Sequence, residues 1–218
     1  MSGPGTRPDP GQPALLELVE VMDRLRRECP WDKEQTHGSL ARYLVEETYE
    51  VLEAIETGDL DHLREELGDL LLQVYFHARI ASEEPDGFDV DDVARGIADK
   101  LVYRHPHVFD GLAVAGADEV EANWEALKAA EKQRTSPVEG VPLALPALAY
   151  ADKVVGRLVR AGHEVAVDPS GQVGDELLAL VLRARSEGLD PEQELRGSVR
   201  RLLDRAGVEA PPPAGRGS

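Results

Sequence analysis

Ten carboxylates stand between Ala41 and Leu70, opposed only by Arg42 and Arg64, and the run leads directly into the most apolar stretch of the chain. That stretch is Leu70-Leu71-Leu72-Gln73-Val74-Tyr75-Phe76. The acidic residues are Glu46, Glu47, Glu50, Glu53, Glu56, Asp59, Asp61, Glu65, Glu66 and Asp69. Glu47 and Glu50 are three residues apart, and so are Glu66 and Asp69. On an α-helix each pair shares a face. A solvated acidic surface is the ordinary reading of such a run. Against it, Asp69 stands at the edge of the apolar segment, where an uncompensated carboxylate is costly. A bound cation supplies the compensation. Two antiparallel helices joined by a short turn would bring the pairs together as an oxygen-only donor set. Such a set suits Mg²⁺ or Mn²⁺, with water and phosphate oxygens completing the shell.

The rest of the chain follows the same helical period. Leu15, Leu18, Val19, Met22 and Leu25 space a first helix that stops at Cys29-Pro30, since the residue before proline avoids the α region. A polar loop over 31–39 follows. A second helix is expected from about Ser39 to Thr57 with Gly58 as its stop, and a third from about Asp61 to Ser82. The third is apolar nearly all round its middle, which calls for cover on more than one side and so for a partner subunit. Further helices are expected near 91–104 and 118–133, then near 147–160, 173–187 and 191–206. His105-Pro106-His107 reads as a turn closing the helix before it. The fold class is all-α.

Residues 1–13 and 207–218, rich in Pro and Gly, read as disordered tails. The segment 135–146, with Pro137, Pro142 and Pro146, reads as a linker between 14–134 and 147–206. Gly68-Asp69 and Ala78-Arg79 recur as Gly174-Asp175 and Ala184-Arg185, a constant offset of 106 residues (175 − 69). Residues 147–206 therefore read as a truncated second copy that lacks the acidic helix.

With 24 basic against 42 acidic residues the net charge is −18, which argues against nucleic acid or an anionic membrane as the main partner. No apolar stretch is long enough to span a bilayer, and the first residues carry no signal-peptide pattern. The lone Cys29 leaves no internal disulfide and fits a reducing cytoplasm. No P-loop pattern occurs, and the one Glu-x-x-His spacing, Glu34 to His37, falls in a loop, which disfavours a di-iron bundle.

Glu46-Glu47-Thr48-Tyr49-Glu50, fifteen residues, then Glu66-Leu67-Gly68-Asp69 resembles the EExxE…ExxD pattern of the MazG-type all-α nucleoside triphosphate pyrophosphohydrolases. Three more blocks are similar to the same family: 29–36 (Cys-Pro-Trp-Asp-Lys-Glu-Gln-Thr), Asp99-Lys100-Leu101 to Phe109, and Asn123-Trp124-Glu125 to Lys132. The resemblance implies a MazG-like helical bundle, dimeric or tetrameric, and here a homodimer. It implies Mg²⁺-dependent cleavage of nucleoside triphosphates between the α and β phosphorus atoms, as nucleotide-pool house-cleaning. Carried onto this chain, it makes Glu47, Glu50, Glu66 and Asp69 the metal ligands and Glu46 a group that orients water or a ligand. Lys100 and Arg104, one turn apart, become phosphate contacts; without the resemblance they read as an exposed basic pair. Lys128 becomes a third phosphate contact. Trp31 and Trp124 read equally as base-stacking rings or as structural anchors. Because the second copy lacks the acidic motif, a catalytically weak nucleotide-binding or partner-binding scaffold stands as the alternative function.

Overall fold

The computed structural model describes residues 13–132, 135–167 and 171–208; residues 1–12 and 209–218 of the expected tails lie outside it. All regular structure among the described residues is helical: α1 (Ala14–Glu28), α2 (Pro30–Glu34), α3 (His37–Thr57), α4 (Leu60–Ala81), α5 (Val90–Arg104), α6 (Pro106–Phe109), α7 (Ala117–Lys132), α8 (Ala147–Arg160), α9 (Val173–Ser186) and α10 (Pro191–Ala206). The chain divides into two compact units, Met1–Val120 and Glu121–Ser218, with the division inside α7.

The first unit is organised by the α3–α4 hairpin. Thr36 starts α3 through a reciprocal cap: its hydroxyl accepts from the Ser39 amide at 3.1 Å, and the Ser39 hydroxyl accepts from the Thr36 amide at 2.9 Å. Gly58 ends α3 with φ +72°, a left-handed conformation that glycine adopts without strain. Asp59 then caps α4, accepting from the amides of Asp61 at 3.0 Å and His62 at 3.1 Å. Two residues thus separate the helices, and so short a link makes them antiparallel neighbours. Met22 of α1, Leu40 of α3 and Tyr75 and Phe76 of α4 form the buried core, with Leu18, Tyr43, Leu71, Leu72, Ile80 and Val90 packed around them.

Arg26 fixes the segment between α1 and α3. Its guanidinium donates to the carbonyls of Asp32, Lys33 and Gln35 and pairs with Glu83 just beyond α4, at 2.8 Å. Arg79 joins the same network, 3.0 Å from both Asp23 and Glu83. In place of a plain loop over 31–39, this segment holds the short helix α2 and then the start of α3. Likewise His105-Pro106-His107 is not a simple turn: Pro106 opens α6.

In the second unit α8 packs on α9 and α10, and α9 packs on α10. Val155 and Val181 are buried there. Arg185 pairs with Asp152 of α8 at 2.9 Å. In the first unit, Arg79 of α4 pairs with Asp23 of α1 in the same way. The two arginines are 106 residues apart (185 − 79), the offset of the sequence repeat, but their aspartate partners are 129 apart (152 − 23).

Candidate metal centre and relation to known proteins

The site lies on the facing sides of α3 and α4. Glu47 stands eleven residues before Gly58, and Asp69 stands ten after Asp59, so the tight turn sets them at the same height. Glu47, Glu66 and Asp69 each present a carboxylate oxygen, and the three oxygens lie within 4.8 Å of one another. Glu66 is buried, 9% exposed.

The electrostatics show what this closeness costs. Burial, then the charge of Asp69, then a hydrogen bond and repulsion from Glu50, push Glu47 up to about 7. Burial raises Glu66 as well, with repulsion from Glu50 and Asp69, while the nearby His62 opposes the rise. Burial and then Glu65 raise Asp69. Three carboxyl groups held against their preferred charge by burial and one another fit a divalent cation, which would neutralise them. With only oxygen donors, the set fits a hard ion such as Mg²⁺ or Mn²⁺.

The structure brings Glu47, Glu66 and Asp69 together and places Glu50 in hydrogen-bonding contact with Glu47. Glu46 is exposed and outside this group. A helix sets adjacent residues about 100° apart, which turns Glu46 away from the face that Glu47 occupies. On α5, Lys100 is exposed and Arg104 is buried. Trp31 on α2 meets the edges of Tyr43 and Phe76, with centroids 6.0 and 6.3 Å away, yet remains 50% exposed. Trp124 and Lys128 are half-buried on α7, in the second unit.

Two residues of this face were missed by sequence reasoning. His62 Nε2 lies 3.0 Å from Glu66 Oε1, one helical turn away. Its i, i+4 spacing was the available signal. Gln73, one turn beyond Asp69, is 5% exposed, and its Oε1 accepts no hydrogen bond. A lone carboxamide inside an apolar run was the signal there.

An all-α hairpin that converges carboxylates able to hold a divalent cation defines a class of helical, carboxylate-based hydrolases. Residues 35–109, which hold the whole convergent group, match the MazG nucleotide pyrophosphohydrolase domain. A nucleoside triphosphate pyrophosphohydrolase/pyrophosphatase MazG of Thermotoga maritima is 36% identical over 87% of this chain and 82% of its own. A 26.1 kDa protein of Streptomyces cacaoi is 52% identical over 90% of this chain and 82% of its own. A nucleoside triphosphate pyrophosphohydrolase of Mycolicibacterium smegmatis is 45% identical over 96% of this chain, which spans 63% of that relative's length. The chain belongs to the MazG family of nucleotide pyrophosphohydrolases, hydrolases of nucleotide anhydride bonds.

Proposed function

We propose that this protein hydrolyses ribo- and deoxyribonucleoside triphosphates between the α and β phosphorus atoms, releasing monophosphate and pyrophosphate, with Mg²⁺ as the working ion and Mn²⁺ as a substitute. The observation that carries this reading is the convergence of Glu47, Glu66 and Asp69 oxygens within 4.8 Å on one hairpin. Glu50 completes the proposed ligand set. When bound, the ion neutralises phosphate charge and polarises the phosphorus under attack.

The chain's own groups would do the rest. Ionised Glu47, Glu66 and Asp69 provide a fixed cradle for the cation. His62 orients Glu66. Glu50, in contact with Glu47, stands beside that cradle as its fourth ligand. Glu46 is left outside the constellation. The exposed Lys100 is proposed to meet phosphate oxygens as their charge grows. Arg104, buried at the end of α5, would set the position of that helix end. Trp124 and Lys128 belong to the second unit, and the proposed site is confined to the first.

A homodimer is part of the proposal. Leu60, Leu67 and Val74 lie seven residues apart along α4 and are 77%, 48% and 39% exposed, an apolar strip of the kind a second copy covers. Light scattering should give twice 23.8 kDa; a mass of one chain would refute it. Cytoplasmic residence is proposed on the single thiol; no helix among the described residues is long and apolar enough to cross a membrane.

The activity is tested by assaying pyrophosphate release from a panel of triphosphates with Mg²⁺ and with EDTA. Mg²⁺-dependent nucleotide binding without turnover would move the assignment to the scaffold reading.

A further inference from the structure

The Gly58-Asp59 turn closes the α3–α4 hairpin at one end. Towards its other end, ten residues before Glu47 and eight after Asp69, stand His37 and His77. Their Nδ1 atoms are 2.7 Å apart and their rings are parallel to within 3°, so an N–H of one ring donates to the bare nitrogen of the other. His37 is the first residue of α3 and is exposed. His77 is half-buried, and its Nε2 is fully covered and has no hydrogen-bond partner. The covered Oε1 of Gln73, one turn earlier on α4, accepts nothing either, so these two atoms do not bond to each other.

This arrangement fixes where the protons sit. A neutral imidazole carries one N–H. If His77 accepted at Nδ1, its proton would lie on the covered Nε2 without an acceptor. A buried N–H with no partner is the rarer and costlier orphan. His77 therefore donates through Nδ1 and leaves Nε2 bare, and the proton of His37 lies on Nε2. A further proton has no place in the closed pair. Every arrangement that adds one and keeps the bond puts a proton on Nε2 of His77, inside the fold and without an acceptor. A proton on Nδ1 of His37 instead sets two N–H groups face to face and ends the bond. Burial, and then the charge of His37, hold His77 below the usual histidine value of 6.5.

The surrounding charges do not favour the cation. On α1, Asp23 and Arg26 are bound to Arg79 and Glu83. Asp32 of α2 acts on Arg26. At the start of α5, Asp89 and Asp92 cap the helix and Asp91 pairs with Arg95. On α3, Arg42 lies over the Tyr43 ring, and Glu46 and Glu47 are more than two turns from His37. Of these groups, only His37 adds to the field at His77.

We propose that His37 and His77 form a pH-sensitive clasp: the hydrogen bond between their neutral rings holds the start of α3 against α4, and protonation opens it and frees the first turn of α3. A histidine held below its ordinary value binds fewer protons folded than unfolded. The contribution of the clasp is therefore complete above about pH 6.5 and is lost as pH falls below it. Leu40, in the buried core, keeps the rest of α3 in place, so the opening is local. The raised carboxyl groups of Glu47, Glu66 and Asp69 shift overall stability in the opposite direction, which calls for a local readout.

The test is nuclear magnetic resonance of the full ¹⁵N-labelled chain in EDTA, at about pH 7.5 and about pH 5. At the higher pH, His77 should carry its proton on Nδ1 with Nε2 bare. The amides of Ser39 and Leu40, which are bonded to Thr36, report on the first turn of α3. Their hydrogen-exchange protection factors should fall about fivefold or more at the lower pH, following the titration of the two rings, while amides of α8 keep theirs. His37→Ala changes an exposed position and should give the low protection at both pH values. A His77 with its proton on Nε2 near neutrality would overturn the proposal. So would a His77 that charges while Ser39 and Leu40 stay protected, or a pH dependence that survives in His37→Ala. Should that variant fail to fold, the tautomer and exchange data of the wild type decide the matter.

Discussion

His62 Nε2 stands 3.0 Å from Glu66 Oε1 across one turn of α4, and this contact opposes the forces that drive Glu66 toward its neutral form. Groups that orient a metal-binding side chain typically carry ten- to a hundredfold of the affinity. His62→Ala should therefore raise the Mg²⁺ concentration for half-maximal activity about tenfold, with helix content by circular dichroism unchanged. A metal response identical to wild type would show that the contact is incidental.

The carboxylate group also makes metal-free stability depend on pH. Burial and neighbouring charge raise Glu47 from 4.5 to about 7, and Glu66 and Asp69 are raised too. A raised acid binds more protons when folded than when unfolded. Its stabilising contribution is therefore complete below about pH 4.5 and is lost as pH rises through about 7. Melting curves in EDTA should show this loss between pH 5 and 8, on top of the pH dependence of other groups. Mg²⁺ should restore stability more at pH 8 than at pH 5.5, and Glu47→Gln should flatten the metal-free profile. Equal stabilisation by Mg²⁺ at both pH values would argue against these carboxylates as the ligands.

Leu40 is 1% exposed and joins α3 to Met22, Tyr75 and Phe76. Truncating a buried leucine to alanine costs about 2–5 kcal/mol. Leu40→Ala should lower stability by that amount in chemical denaturation. A cost near zero would mean that the core does not run through the α1–α3–α4 contact.

Gly87 marks a different constraint. A Cβ there would sit 1.9 Å from the Ala81 carbonyl oxygen and 3.0 Å from that of Glu84, both backbone atoms that cannot rotate away. Gly87→Ala should displace the turn between α4 and α5 and reduce stability, by about 1–3 kcal/mol on the scale of other overpacked sites. Gly58→Ala meets no atom within 4 Å and should cost only the strain of its left-handed backbone, about 1–2 kcal/mol.

The long helices were legible because each carries several turns of apolar period and an explicit stop. Residues 147–160 and 191–206 are helical to the residue, and Gly58 closes α3 as expected. The pairing of Glu47 with Glu66 and Asp69 was legible from equal spacing about the Gly58-Asp59 turn. The short helices α2 and α6 were not, since four or five residues hold barely one turn and cannot show a repeating pattern. Pro30 and Pro106 signalled chain breaks, yet each opens a new helix at its first turn, where proline's missing amide costs nothing. The unsatisfied oxygen of Gln73 was not legible, because hydrogen-bond satisfaction is a three-dimensional property that sequence periodicity does not carry.

The central claim, that one carboxylate hairpin holds the ion for nucleoside triphosphate cleavage, is tested most directly by product analysis. Purified protein would be given each dNTP and NTP with Mg²⁺, and monophosphate and pyrophosphate quantified together, beside Glu66→Gln and an EDTA control. The account predicts the two products in equal amounts, with at least about a hundredfold loss in the variant and in EDTA. Release of pyrophosphate that survives both EDTA and Glu66→Gln would contradict it.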